Sequence, residues 1–166
     1  TMYGLKINTD YLGTFTQVDS KTMTIGAGGF NQTGGTFNGS NANITNTGPV
    51  TLNGGNFRST SADFTIQQNA FSISDSTTLD ANNGRLQFTN VCDPSIRSSV
   101  AGKTWNNVKI LVGCSWAGGV FNGVFDIGGN FELATSSNYP GSFGGNALFN
   151  LSGNLSLTAS GPNGIN

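Results

Sequence analysis

The feature that most constrains the fold of this chain is the return of an apolar residue about every seven positions between Met23 and Phe88. Glycine, asparagine, serine and threonine occupy most of the positions between them. A fixed short period indicates that one unit cannot bury its own apolar face, so successive units must stack on one another. The recurring residues are Met23, Phe30, Phe37, Ile44, Val50, Phe57, Phe64, Phe71, Leu79 and Leu86.

A coiled coil also has a seven-residue period, but the spacing inside each unit excludes one. Heptads place apolar residues alternately three and four positions apart. In this chain the second apolar residue often follows the first by two positions, which is the alternation of a β-strand. Glycine pairs and the stretch Asn82–Gly84 separate the units, and such residues break helices and form turns. The alternating pairs are Val50/Leu52, Phe64/Ile66, Phe71/Ile73 and Leu86/Phe88.

Short strands joined by short corners predict an all-β fold, a parallel β-helix (β-solenoid) with three short strands in each turn of about 20 residues. Stacking at that interval produces columns of apolar residues, which would form ladders inside a narrow core. The three columns are Met23 with Ile44, Phe64 and Leu86; Phe30 with Val50 and Phe71; and Phe37 with Phe57 and Leu79. The residues predicted for the core ladder are Ile25, Phe30, Phe37, Ile44, Leu52, Phe57, Phe64, Ile66, Phe71, Ile73, Leu79, Leu86 and Phe88.

Composition limits the classes of partner. Charged residues make up 9% of the 166 residues and the net charge is -1, which gives no electrostatic reason to expect nucleic acid as a partner. No apolar run is long enough to span a bilayer. We expect one solenoid domain over residues 1–166. It is either a processed mature chain or a segment or subunit of a longer fibre, because a solenoid has no upper limit on its length.

The two cysteines, Cys92 and Cys114, are 22 positions apart, which is close to one turn of the predicted solenoid. Side chains on adjacent turns would be near enough for a disulfide. Such a bridge would stabilise the fold by about 3 kcal/mol in the chain-entropy model and would indicate an oxidising, extracytoplasmic location. Two buried free thiols, or one free and one partly exposed thiol, are the alternatives.

Residues 90–103 interrupt the period and predict an inserted loop. Inserted loops of repeat proteins often carry function, although a longer excursion fixed by the disulfide is the simpler interpretation. The period resumes at Gly118, and no sequence that resembles a cap follows. Because an uncovered strand edge pairs readily with other strands, we expect the ends to continue into more protein or into another subunit.

Few residues suit catalysis or metal binding. The chain has no histidine, which excludes Ser-His-Asp and Cys-His catalysis and histidine-based metal sites. Glycoside hydrolysis needs two carboxylates across a groove, and no pair forms a convincing motif, so solvated corner residues explain the carboxylates better. Asp80–Gly84 resembles part of a calcium loop but lacks the later acidic ligand. We therefore expect no enzymatic activity, no metal and no cofactor. The carboxylates considered are Asp63, Asp75, Asp80, Asp93, Asp126 and Glu132.

A regular array of outward threonines would suggest ice binding. Thr24, Thr45 and Thr65 align at intervals of 21 and 20 positions. Gln87 and Ser72 stand where such an array should continue, so the array is short. Ice binding therefore stays an alternative to the functions below.

The segments Gly28–Phe57 (GGFNQTGGTFNGSNANITNTGPVTLNGGNF) and Thr104–Ile110 (TWNNVKI) resemble bacterial β-strand-repeat surface proteins. That broad group includes filamentous-haemagglutinin-like adhesins and autotransporter passenger domains, and the resemblance covers most of residues 23–160 in style. It implies a right-handed parallel β-solenoid that is exported and displayed as adhesin, fibre or surface-layer material. The group carries no catalytic residues to transfer, and the cysteine pair departs from its usual Cys-poor pattern.

The sequence and this resemblance together predict a structural protein outside the cell or on its surface. It would form an elongated fibre or adhesin stalk, with identical subunits stacked end to end as a homopolymer. Cell-surface glycans are a further expected partner. The alternative function is a carbohydrate-binding or polysaccharide-degrading β-helix.

Overall fold

The computed structural model describes residues 1–67, 70–89, 95–98, 103–112, 119–135, 143–144 and 147–159. Within these ranges the regular structure is β-strand without any helix, and the paired strands are parallel. The first ten strands are β1 Met2–Ile7, β2 Thr14–Thr16, β3 Met23–Gln32, β4 Thr36–Asn38, β5 Ile44–Asn46, β6 Val50–Leu52, β7 Gly55–Arg58, β8 Asp63–Ile66, β9 Ala70–Ile73 and β10 Thr77–Asp80. The others are β11 Arg85–Thr89, β12 Ser95–Ser98, β13 Thr104–Trp105, β14 Asn107–Val112, β15 Gly119–Ile127, β16 Phe131–Thr135, β17 Phe143–Gly144, β18 Ala147–Leu151 and β19 Leu155–Ala159.

The chain winds around three faces, and strands that are one turn apart lie side by side. Face 1 contains the end of β1, the end of β3, β6, β9, β12 and β15; face 2 contains β2, β4, β7 and β10. Met2, at the start of β1, pairs with Ile25 and so belongs to face 3. Face 3 contains the start of β3, followed by β5, β8, β11, β14, β16 and β19. A single turn therefore runs through β6, β7 and β8 before β9 begins the next. The predicted parallel β-solenoid with three short strands per turn is confirmed, whereas its right-handed winding stays a prediction.

The register of the strands agrees with the columns predicted from the seven-residue period. On face 3, Met23 pairs with Ile44, Ile44 with Phe64, and Phe64 with Leu86. The predicted columns on the other faces are also observed: Phe30, Val50 and Phe71 on face 1, and Phe37, Phe57 and Leu79 on face 2. The period alone was sufficient to place these residues on adjacent turns.

The turns become longer toward the carboxyl end. The interval from Ile44 to its partner Phe64 is 20 residues, whereas Phe131 pairs with Leu155, 24 residues later. The added residues extend the strands and corners. β15 has nine residues, and its two ends pair with β12 and β13, so it runs past the corner where β9 and β10 are separate strands.

The apolar ladder occupies the interior. Twelve of the thirteen residues predicted for it are buried, and Leu79 is partly buried against the others. The rings of Phe37 and Phe57 stack with centroids 5.4 Å apart, and Phe15 stacks on Phe37 at 6.0 Å. Burial of such rings is the main source of stability, since removing apolar surface from water contributes about 25 cal/mol per Å².

Polar side chains also point into the interior, which the sequence analysis did not anticipate. Asn46 lies between Ile25 and Ile66 in a column of face 3, and Gln32 lies beside Leu52 on face 1. Both side chains are fully buried. Their amides donate hydrogen bonds to nearby backbone carbonyl oxygens: that of Gly48, at a corner, for Asn46, and those of Gly34, at a corner, and Asn56, at the start of β7, for Gln32. Corner carbonyls that face inward cannot reach water, so a buried donor stabilises them.

Thr60 performs the same task at the corner between face 2 and face 3. Its buried hydroxyl donates to the carbonyl oxygen of Ala42, at 2.6 Å, and accepts from the N–H of Ala62, at 3.1 Å.

We expect Thr60→Val to lower the free energy of unfolding by about 1–3 kcal/mol because both backbone groups lose their partner. Urea unfolding would measure this loss. Thr45→Val, on the outward face of β5, is the matched control and should change stability by less than about 0.5 kcal/mol; equal effects of the two substitutions would contradict the prediction.

Two predicted features fall partly or wholly outside the described residues. Cys92 and Cys114, the predicted disulfide pair, lie outside them. The predicted inserted loop at 90–103 contains strand β12, Ser95–Ser98, which pairs with β9 on one side and β15 on the other; most of its remaining residues lie outside the described part of the chain.

Candidate functional site

Three ion pairs on the outer surface engage carboxylates that the sequence analysis considered for catalysis. Each pair joins residues about one turn apart, so each connects adjacent turns. The pairs are Arg58 with Asp80 at 3.1 Å, Arg85 with Asp63 at 2.7 Å, and Lys109 with Glu132 at 2.8 Å. These carboxylates therefore hold neighbouring turns together.

Asp63 and Arg85 form the best-defined of the three pairs. Arg85 donates from Nε to Oδ1 and from Nη2 to Oδ2, at 3.0 and 2.7 Å, which is the bidentate geometry of a strong ion pair. The hydrogen bonds with Asp63 raise the pKa of Arg85 above its ordinary value. A raised pKa favours the charged form, so the stabilisation is complete below the ordinary pKa of arginine and is lost only at strongly alkaline pH.

This pair forms one wall of a polar cleft of about 400 Å³ at the edge of face 3. The cleft also contains a series of asparagines whose side chains join successive turns. Asn107 Oδ1 accepts from the N–H of Asn130 at 2.9 Å, and Asn130 Oδ1 accepts from the N–H of Asn154 at 3.1 Å. The cleft thus offers hydrogen-bonding amides and charges to a ligand, and its polar groups are also bonded to one another.

Arg58 connects three turns on face 2. Its Nη1 donates to Asn38 at 3.2 Å, its Nε to Asp80 at 3.1 Å and its Nη2 to Asn82 at 2.6 Å. Asp80 in turn accepts from the N–H of Asn82 at 2.8 Å, which closes the corner predicted from the Asp80–Gly84 sequence. Asn82 and Asn83 have φ of 50° and 57°, the left-handed conformation that asparagine tolerates.

Three of the carboxylates considered for glycoside hydrolysis have other polar partners in the structure. Asp63 and Asp80 each bind a different arginine, and Asp126 accepts a hydrogen bond from Asn150 at 2.7 Å. Lys103 approaches the backbone carbonyl of Asp75 and not its side chain, and Asp93 lies outside the described residues. In the described part of the chain, no group of three or more acidic or cysteine side chains has the arrangement of a metal site.

The outward threonine column lies on face 3 as the sequence indicated, but Ser72 is not part of it, because Ser72 pairs with Thr51 on face 1. Thr24, Thr45 and Thr65 are paired in order on face 3. Beyond Thr65 the outward positions are taken by Gln87, which pairs with Thr65, and then by the ion pair of Lys109 and Glu132. Charged side chains therefore replace threonine on the second half of this face.

The carboxyl-terminal turn has an exposed apolar surface, which we call the apolar end. Leu155 and Leu157 of β19 are 54% and 56% exposed, although their column partners Phe131 and Leu133 on β16 are buried. Among the described strands, β19 pairs with β16 alone. A groove of about 330 Å³ lies at this end. Its lining is apolar and consists of Phe131, Leu133, Phe149, Leu151, Leu155 and Leu157.

The outer ion pairs should contribute modestly to stability. We expect a double-mutant cycle of Asp63→Asn and Arg85→Gln to give a coupling energy of about 0.5–1 kcal/mol in urea unfolding, because both side chains are about one third exposed. Raising the salt concentration to about 1 M should reduce that coupling, since salt screens exposed charges. Additive single effects at low salt would show that the bidentate contact contributes nothing.

Comparison of the chain with family models, curated proteins and solved structures finds no match. The β-solenoid architecture therefore stands on the structure alone, and the likeness to bacterial surface repeats stays a likeness of sequence. Over the described residues there is no helix that is long and apolar enough to cross a membrane.

Proposed function

We propose that this chain is a structural, non-enzymatic element of a fibre or adhesin stalk, located outside the cell or on its surface, in which copies stack end to end. The proposal draws on the sequence likeness to adhesin and autotransporter repeats and on the solenoid, whose parallel strands can be extended by any further parallel turn. A rod of this kind needs no catalytic site to serve as a spacer.

The apolar end is the observation that carries the proposal. Soluble sheet proteins usually protect an open edge with charged residues, proline or a covering segment. β19 itself, with the sequence LSLTA, contains neither a charged residue nor a proline. Its exposed leucines continue the buried column of face 3, so a further turn placed against them would bury them in the same way.

The sides of the rod differ from this end. Outward positions on faces 2 and 3 hold threonine, asparagine and the three ion pairs that join turns. Polar, internally bonded sides favour solubility along the rod. Among the described residues, the exposed large apolar side chains lie toward the two ends: Tyr3, Tyr11, Leu12 and Val18 at one, and Leu148, Leu155 and Leu157 at the other. This contrast supports growth along the axis in preference to side-by-side aggregation.

Sedimentation and electron microscopy of the purified chain test the proposal. We expect association that increases with protein concentration and filaments with a subunit repeat of about 38 Å, because the eight successive rungs of face 3, from Met2 to Leu157, lie about 4.8 Å apart. Isolated short rods at every concentration would overturn end-to-end stacking.

A surface glycan is a second candidate partner, and the polar cleft beside Asp63 and Arg85 favours it. Amide, carboxylate and guanidinium groups hydrogen-bond to sugar hydroxyls, and the cleft holds all three. Binding to a glycan panel should weaken in Arg85→Gln but not in Arg58→Gln, which alters a different cleft. Equal loss in both variants, or no binding by the unaltered chain, would remove this candidate.

A further inference from the structure

The two ends of the rod present opposite edges of the same column of face 3. We call this column the axial column; its members are Met2, Ile25, Asn46, Ile66, Phe88, Ile110, Leu133 and Leu157. Its interior members are buried, Met2 is partly buried, and Leu157 is more than half exposed. The column therefore ends in an apolar side chain at both ends.

We propose that stacking is head to tail and that the apolar end of one copy docks on the β1 edge of the next, near Met2. This inference rests on the proposed function and adds the surfaces and the polarity of the contact. The occupant of the apolar end is thus a second copy of this chain.

Strand direction supports head-to-tail contact. The paired strands described here are parallel, and a second copy translated along the axis would add its β1 in the same direction as the strands below it. A two-fold contact between two apolar ends would instead place the strands of the two copies antiparallel to each other. None of the described strand pairs is antiparallel. The same edges used head to tail give a heterologous contact that repeats and forms a filament.

The chemistry of the two edges is complementary. The apolar end provides an open groove lined by phenylalanine and leucine. The β1 end provides Met2, Leu5, Phe15 and Met23, which pack against the core but are only partly buried. Methionine is unbranched and flexible, so it adapts to an irregular apolar groove.

The size of the contact fits a specific interface. A turn of this solenoid contains 20 to 25 residues. Paired residues on adjacent turns are 20 positions apart for Phe30 and Val50, 21 for Val50 and Phe71, and 25 for Phe71 and Ile96. Stable protein interfaces use about 20–30 residues on each side. One turn packed on one turn is therefore large enough to hold two copies together.

Blocking one end at a time tests the proposal. Leu157→Lys should prevent docking at the apolar end, and Met2→Lys should prevent docking at the β1 end, because each places a charge in an apolar contact. Each variant alone should sediment as a monomer at concentrations at which the unaltered chain forms filaments. An equimolar mixture should form a dimer that grows no further, since the free apolar end of the Met2→Lys copy meets the free β1 end of the Leu157→Lys copy.

Thr45→Lys is the matched control, because it adds the same charge to the outward side of face 3 in the middle of the rod; it should leave filament formation unchanged. Circular dichroism and urea unfolding of each variant establish that it is folded. Dimers in Met2→Lys alone would indicate tail-to-tail contact and overturn the inference while leaving end-to-end stacking in place. Filaments in both variants would also overturn it. Monomers of the unaltered chain would instead refute the proposed function itself.

Discussion

Phe57→Ala is expected to lower the free energy of unfolding by about 3–5 kcal/mol, the largest loss we predict for a single side chain. Phe57 is buried at the centre of the ladder, and its ring contacts Phe37 at 5.4 Å, Phe30 at 5.6 Å and Phe64 at 5.8 Å between centroids. Stacked turns above and below fix these neighbours, so the cavity cannot collapse by moving one element. Both lost burial and the residual cavity contribute to the cost.

Equilibrium unfolding in urea, followed by circular dichroism, measures the effect. Phe15→Ala is the matched control: the same atoms are removed, but Phe15 is only partly buried and stacks on Phe37 at 6.0 Å in the first turn. In a solenoid each turn contacts only its neighbours, so a terminal turn contributes less than a central one. We expect Phe15→Ala to cost less than half as much. Equal losses would show that burial in the central turns is not what decides stability.

The sequence contained enough information to place the ladder because the core residues are large and repeat at nearly constant intervals. The alignment of Phe37, Phe57 and Leu79 needed only a turn of about 20 residues, which the step of seven and the three-strand turn supplied. A register error of one residue would expose every inward side chain. Such a pattern is therefore strongly constrained even without a relative.

The ion pairs across turns were missed although a signal for them was present. Arg58 and Asp80 are 22 positions apart, and so are Asp63 and Arg85. Opposite charges at the interval of one turn predict a contact once the solenoid is accepted. Carboxylate pairs at that spacing would suggest catalysis, whereas pairs of opposite charge at the same spacing indicate contacts between adjacent turns.

The buried polar residues could not be predicted from the pattern. Asn46 and Gln32 occupy inward positions because the carbonyl oxygens of nearby corners point inward and need a donor. The direction of those carbonyls depends on the conformation of each corner, which the spacing of apolar residues does not specify. The spacing of apolar residues therefore does not reveal which polar residues point inward.

The corners constrain the fold through backbone conformation and the close approach of adjacent turns, and Gly55 shows both. Gly55 begins β7 with φ of +74°, a left-handed conformation that costs an ordinary residue about 1–2 kcal/mol. A Cβ at this position would also overlap the carbonyl oxygen of Gly35 in the turn below and lie 2.5 Å from that of Gly34. Those atoms belong to the backbone of a hydrogen-bonded turn, so they cannot move aside as a side chain could.

We therefore expect Gly55→Ala to lower the free energy of unfolding by about 2 kcal/mol or more, measured by urea unfolding. Gly55→Asn separates the two causes, since asparagine tolerates left-handed φ but carries the same Cβ; we expect it to be nearly as destabilising. Gly128→Ala is the control, because its Cβ would meet the methyl group of Thr104 at 3.3 Å and the carbonyl oxygen of Trp105 at 3.8 Å, with no backbone overlap; it should change stability by less than about 0.5 kcal/mol. Recovery of most of the stability in Gly55→Asn would show that backbone conformation, and not the spacing of adjacent turns, limits this corner.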